Sequence, residues 1–103
     1  MSNEKPIGIF DSGFGGLTVA RAVMDLLPAE DIVYFGDTAR YPYGPKPLNE
    51  VREFAFQIVE YLINEHDVKL LVVACNTAAA AALDELSAET SVPIIGVIAP
   101  GTQ

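Results

Sequence analysis

The sequence holds one cysteine, Cys75, and Asn76 and Thr77 follow it directly. A lone thiol cannot close an internal disulfide or build a cysteine metal cluster, so it serves either as core filler or as chemistry. It ends the apolar run Leu70 to Cys75 and precedes a helix start, where the positive end of the helix dipole favours a thiolate. Asn76 and Thr77 offer an amide and a hydroxyl that suit either a helix cap or a small polar ligand. A second group, Asp11-Ser12-Gly13-Phe14-Gly15-Gly16, joins an apolar run to a helical pattern. Backbone N–H groups at such a helix start receive a carboxylate or phosphate, although a cap with a tight turn explains Asp11 or Ser12 equally well. The glycine spacing fails as a dinucleotide fingerprint because Thr18 stands where a third glycine or an alanine is needed. Asp37 nevertheless falls where a ribose-binding acid would stand. Tyr41-Pro42-Tyr43-Gly44-Pro45 reads either as a surface loop of tyrosines packed on prolines or as a lid. His66, beside Asp67 near a helix end, is read as a dipole partner without chemistry.

The elements that position these groups follow from hydrophobic periodicity. Pro6 to Phe10 reads as a buried strand, and Leu17, Ala20, Val23, Met24 and Leu27 step at helical spacing until Pro28. Ile32 to Phe35 is β-branched and aromatic, a second strand. Thr38 to Pro47 contains three prolines and a glycine, which exclude regular structure. Val51, Phe54, Ala55, Ile58, Val59, Leu62 and Ile63 then mark an amphipathic helix, with Glu53, Gln57, Glu60 and Asn64 on its wet face. Leu70 to Ala74 is apolar on both faces, as a central strand of a parallel sheet must be. Cys75-Asn76-Thr77 turns the chain into an alanine-rich helix from Ala78 to Leu86, whose small side chains permit close packing, and Pro93 to Ile98 supplies a fourth strand.

This βαβαβαβ order predicts an α/β fold: a doubly wound parallel sheet of flavodoxin-like or Rossmann-like type in three α/β/α layers. Residues 1–103 are expected to form a single α/β domain, given typical domain sizes. Half of the residues are hydrophobic, enough for a core. Six basic against fourteen acidic residues give a net charge of −8, which argues against nucleic acid or an anionic membrane as partner. No apolar run reaches the length of a membrane span or signal peptide, and with the unpaired thiol this predicts a cytoplasmic protein. In doubly wound sheets ligands gather at the carboxyl ends of the strands, and Asp11-Ser12, Asp37-Thr38 and Cys75-Asn76-Thr77 all fall there.

Four ordered motifs, Ile9 to Val19 (IFDSGFGGLTV), Tyr34 to Arg40 (YFGDTAR), Pro42-Tyr43-Gly44 and Ala74 to Ala78 (ACNTA), resemble those of bacterial glutamate racemases, over about Pro6 to Gly101. The resemblance implies a cofactor-independent isomerase that interconverts L- and D-glutamate and supplies the D-isomer for peptidoglycan, with neither pyridoxal phosphate nor metal. In that family two cysteines flank the substrate α-carbon, one removing the α-proton while the other delivers a proton to the opposite face. Cys75 matches the first of them. By the same resemblance Asp11 assists this thiol, and Asp11, Ser12, Tyr43, Gly44, Asn76 and Thr77 bind the amino and carboxylate groups of glutamate.

Members of the family continue into a second α/β domain that carries the partner cysteine and a histidine, and then return to the first domain with a C-terminal segment. The resemblance therefore implies an incomplete site in this chain, weak activity in isolation, and apolar surface left bare. Pairing with such a second domain, or a homodimer bringing two Cys75 thiols to one ligand, would complete the site. A non-catalytic ligand-binding or self-associating half-domain is the alternative, followed by a nucleotide-binding α/β domain.

Overall fold

The computed structural model describes residues 4–13 and 16–97, with the side chains of Gly16 and Leu17 left aside. Phe14 and Gly15 of the glycine-rich turn lie outside the described residues, as do Ile98, expected in the last strand, and the side chain of Leu17, expected on a packed helix face. Strands β1 (Ile7–Asp11), β2 (Ile32–Gly36), β3 (Leu70–Val73) and β4 (Ile94–Gly96) alternate with helices α1 (Gly16–Leu26), α2 (Leu48–His66) and α3 (Asn76–Glu89). A short 3₁₀ turn, Thr38–Arg40, follows β2.

All strand pairs are parallel, in the order β2-β1-β3-β4. Connection handedness then decides the layers. The chain moves one way along the sheet from β1 to β2 and the other way from β2 across to β3 and on to β4. Right-handed crossovers therefore put α1 on one face and both α2 and α3 on the other. The two cores agree with that assignment. Phe10, Leu71, Val73 and Cys75 pack with Tyr43, Val51, Ala55, Leu62, Ala78 and Leu86 on the α2/α3 face. Ile7, Ile9, Val72 and Ala74 pack with Val19 and Ala20 on the α1 face. The expected three-layer, doubly wound α/β sheet is the observed architecture.

The helix α1 departs from its sequence pattern. Met24 and Leu27, expected on the packed face, are both 46% exposed, and Leu26 is 79% exposed. The reason is topological: α1 packs over β1 and β2, so beyond its first turns no described element covers it. The same vacancy leaves Ile95 of β4 half-exposed. An open apolar groove runs there, between Val19, Val23 and Leu26 of α1 and Val72, Ile95 and Val97 on the sheet side.

At the amino-terminal edge of the sheet, Lys69 Nζ meets Glu30 Oε1 at 2.5 Å and Lys5 meets Asp67 at 3.3 Å. Asp67 closes α2 in the left-handed conformation, φ 51°, with its N–H on the Ile63 carbonyl. The last turn of α2 carries His66, whose Nε2 lies 3.1 Å from the Tyr61 hydroxyl. His66 thus belongs to the edge opposite the strand carboxyl ends, as its sequence position indicates.

Candidate active site

In this strand order the chain reverses direction between β1 and β3, so their carboxyl ends open the crevice at which doubly wound sheets bind ligands. Asp11 ends β1 and Cys75 follows β3 by two residues. The Ala74 N–H on the Phe10 carbonyl, at 2.8 Å, holds the two strand ends together.

Cys75 is itself the N-cap residue of α3. Its backbone is extended, φ −127° and ψ 118°, and its carbonyl accepts the Ala79 N–H at 2.9 Å. The sequence places Asn76 and Thr77 in the turn as candidate caps; both instead occupy the first turn of α3, and the Cys75 side chain makes no capping bond. The cause is that Cys75 still follows strand geometry, so the helix begins one residue later. Asn76 is exposed and Thr77 half-buried. Cys75 is 9% exposed, at the rim of the core it shares with Phe10 and Tyr43.

Asp11 is fully buried. Its Oδ1 accepts the Gly13 N–H at 3.0 Å and the Tyr34 hydroxyl at 2.9 Å. Strand alternation directs Asp11 to the α1 face with Ile9 and Tyr34, whereas Cys75 continues the Leu71–Val73 side that faces α2 and α3. Ser12 is buried beside Asp11, and Gly13 turns with φ 110°. A Cβ on Gly13 would lie 2.8 Å from the Thr38 Cα, so only glycine lets the Asp11-Ser12 turn close on the segment after β2.

That segment is an ordered structure rather than a loose loop. Asp37 Oδ2 accepts the Tyr43 hydroxyl at 2.5 Å and the Arg40 Nε–H at 2.7 Å. The guanidinium also donates to Gln57 Oε1 at 2.9 Å and lies 4.0 Å above the Phe54 ring, which ties the segment to α2. Asp37 is therefore a structural acid occupied by Tyr43 and Arg40, and the ribose-binding role weighed from its position finds no support. The tyrosines divide: Tyr41 is exposed and precedes a cis Pro42, whereas Tyr43 is 1% exposed, with Phe10 and Phe54 rings 6.3 and 5.7 Å away. Gly44 next to it is exposed, with open space around its Cα.

Electrostatics keep both phenols, the buried Tyr43 and the half-buried Tyr34, protonated. Burial, then the hydrogen bond to Asp37 and its charge, pushes Tyr43 far above the ordinary phenol range; charge at Cys75 adds to this and Arg40 opposes it. Burial and the bond to Asp11 do the same for Tyr34. Each tyrosine is a fixed donor to its aspartate. Tyr34 and Arg40 were given no role from sequence, yet their partners were recoverable: Tyr34 lies two residues before Gly36, which pairs with Asp11, and Arg40 lies one turn after Asp37. Among the described residues, no group of three histidine, cysteine or acidic side chains is arranged to hold a metal ion. No described helix is long and apolar enough to cross a membrane.

A glutamate racemase of Shouchella clausii is 57% identical over 98 residues, 95% of this chain and 35% of the relative. The chain matches the glutamate racemase family. Among solved structures, the glutamate racemase of Thermus thermophilus, in complex with beta-chloro-D-alanine, superposes with a TM-score of 0.87 at 56% identity, covering 91% of this chain and 36% of that one. The glutamate racemase of Francisella tularensis, in complex with D-glutamate, gives a TM-score of 0.85 at 45% identity, covering 93% and 36%. No protein-family model matches the chain. The chain spans about a third of the length of the curated glutamate racemases it matches.

Proposed function

We propose that this chain is the part of a cofactor-independent glutamate racemase that carries one of its two acid/base thiols. The observation that carries the reading is the position of Cys75: a nearly buried thiol at the N-terminus of α3, at the strand reversal, next to the Asp11-Ser12-Gly13 turn. The racemases of known structure, one of them holding D-glutamate, support the substrate.

In this reading the Cys75 thiolate takes the α-proton of glutamate and the carbanion charge spreads into the α-carboxylate. A second acid on the opposite face returns a proton with inversion. The first-turn N–H groups of α3 with Asn76 and Thr77 receive a substrate carboxylate. Ser12 and Gly44 bind the remaining polar groups of glutamate, with Tyr43 as the wall beside the thiol. Asp11 assists the thiol from the other side of the strand edge, which puts the substrate across the gap between the two sheet faces.

Residues 1–103 then correspond to one α/β domain of a cytoplasmic enzyme of cell-wall precursor synthesis. The bare apolar groove beside α1 favours pairing, either with a second domain or with another copy. The test is incubation with L-glutamate in D₂O, following α-proton loss by NMR and configuration by optical rotation, with Cys75→Ala as control. Alongside it, alkylation of Cys75 by iodoacetamide is timed with and without each enantiomer. Expected are Cys75-dependent exchange and slower alkylation with glutamate present. Inversion that rises steeply with concentration would point to completion by a second copy. The absence of both exchange and protection would sink the reading.

A further inference from the structure

Arg40 makes three separate contacts within the segment between β2 and α2. Its Nε–H donates to Asp37 Oδ2 at 2.7 Å, its terminal N–H reaches Gln57 Oε1 at 2.9 Å, and its guanidinium stacks on Phe54 at 4.0 Å. The same Asp37 oxygen receives the Tyr43 hydroxyl. Tyr43 in turn belongs to the buried cluster that contains Cys75. A continuous path thus runs from a half-buried cation on α2's flank through a buried carboxylate and a buried phenol to the neighbourhood of the thiol.

The consequences follow from how each link is held. Asp37 is 5% exposed, and a carboxylate so buried is held in one rotamer by the guanidinium donor fixed against it. With that donor in place it accepts the Tyr43 proton in a short bond. Tyr43 then has one position, wedged between Phe10 and Phe54. Arg40 is suited to this task because its planar guanidinium bonds Asp37 and Gln57 at once while presenting a face to Phe54.

We propose that Arg40 is a positioning residue: acting through Asp37, it locks Tyr43 beside Cys75 and so sets the access of small molecules to the thiol. Its importance for catalysis rests on Cys75 being the reacting group, as read above, but the shielding itself does not. The experiment therefore reads thiol access without any ligand. Because Cys75 is the single cysteine, iodoacetamide alkylation of the whole chain reports on it alone.

Arg40→Gln is expected to speed alkylation roughly three- to tenfold, the change that loss of one ordinary hydrogen bond holding a shield produces. Arg40→Lys, which keeps a cation for Asp37, restores a rate near that of the parent. In a Tyr43→Phe background, where the bond to Asp37 no longer exists, Arg40→Gln adds nothing further. A general loosening of the fold would instead give additive effects and no rescue by lysine, and either result overturns the proposal, as does an unchanged alkylation rate in folded Arg40→Gln. Circular dichroism establishes that each variant is folded. Should Arg40→Gln not fold, the exposed Gln57→Ala, which frees one arm of the guanidinium, decides by the same comparison with and without the Tyr43 hydroxyl. Failure of glutamate to protect Cys75 in the parent chain would undo the functional reading and leave this result standing.

Discussion

Two tyrosine–aspartate pairs close the carboxyl edge of the sheet, one on each face, and they are built differently. Tyr34–Asp11 lies on the α1 face, where the aspartate Oδ1 takes its bonds from a phenol and a backbone N–H. Tyr43–Asp37 lies on the α2/α3 face, where the aspartate is bonded to a guanidinium that is itself anchored on α2. The faces beneath them differ in the same sense. Two helices cover the second face, and its Leu62, Leu71 and Leu86 are fully buried; one helix half-covers the first and leaves Ile95 and Leu26 open. The difference teaches that burial in this domain is lopsided: Cys75 stands on the face covered by two helices, and Asp11 stands on the face that one helix half-covers.

The largest effect expected separates the faces directly. Leu62→Ala, which empties a site closed on all sides, should cost about 2–5 kcal/mol in urea unfolding, whereas Ile95→Ala should cost about 1 kcal/mol or less. Equal losses would break the comparison. Next comes the joint between the two pairs. Gly13→Ala sets a methyl against the Thr38 backbone at a positive φ, a strain of roughly 1–3 kcal/mol, and glutamate protection of Cys75 should weaken with it.

Removing single hydroxyls sharpens the contrast between the pairs. Tyr43→Phe takes a donor from a buried carboxyl acceptor and should cost about 1–3 kcal/mol. Tyr34→Phe, on the less covered side, should cost less in the same unfolding experiment. Alkaline pH probes both at once. Each phenol ionises less readily folded than unfolded, so its contribution is full below the unfolded value of about 10 and is lost as pH rises beyond it. Stability should therefore fall above about pH 10, and the double Tyr34→Phe, Tyr43→Phe variant should show a shallower fall. Smallest of all, Leu26→Lys on the bare flank of α1 should change stability by no more than about 0.5 kcal/mol. Should it instead reduce self-association seen by sedimentation, the open face pairs with a second copy.

Much of this was legible in the residues. The doubly apolar run Leu70 to Ala74 demanded a central strand, and the seven-residue stripe from Val51 to Ile63 demanded a helix covered on one side; both periodicities are local and survive folding unchanged. The grouping of Asp11, Asp37 and Cys75 at one edge also followed, because parallel strands joined by helices all end at the same edge. Their roles were less legible. Asp37 looked like a ligand-binding acid because strand-end position is visible in sequence, whereas occupation by Arg40 and Tyr43 depends on how the segment 38–43 folds back. The stripe on α1 misled at Met24 and Leu27 for a related reason, since an apolar face states that it seeks a cover and not whether one is present.

The sequence by itself determined the element order, the sheet's parallel sense, the edge at which polar residues collect and, through four short motifs, the resemblance to glutamate racemases. Periodicity and handed connections suffice for this, because both act over a few residues or a single crossover. Only the tertiary structure decided which strand faces carry Asp11 and Cys75, which internal bonds each buried carboxylate accepts, and which part of the α1 face is left open. Those outcomes depend on contacts between residues such as Asp11 and Tyr34, or Arg40 and Gln57, that are brought within 3 Å by packing rather than by proximity in the chain.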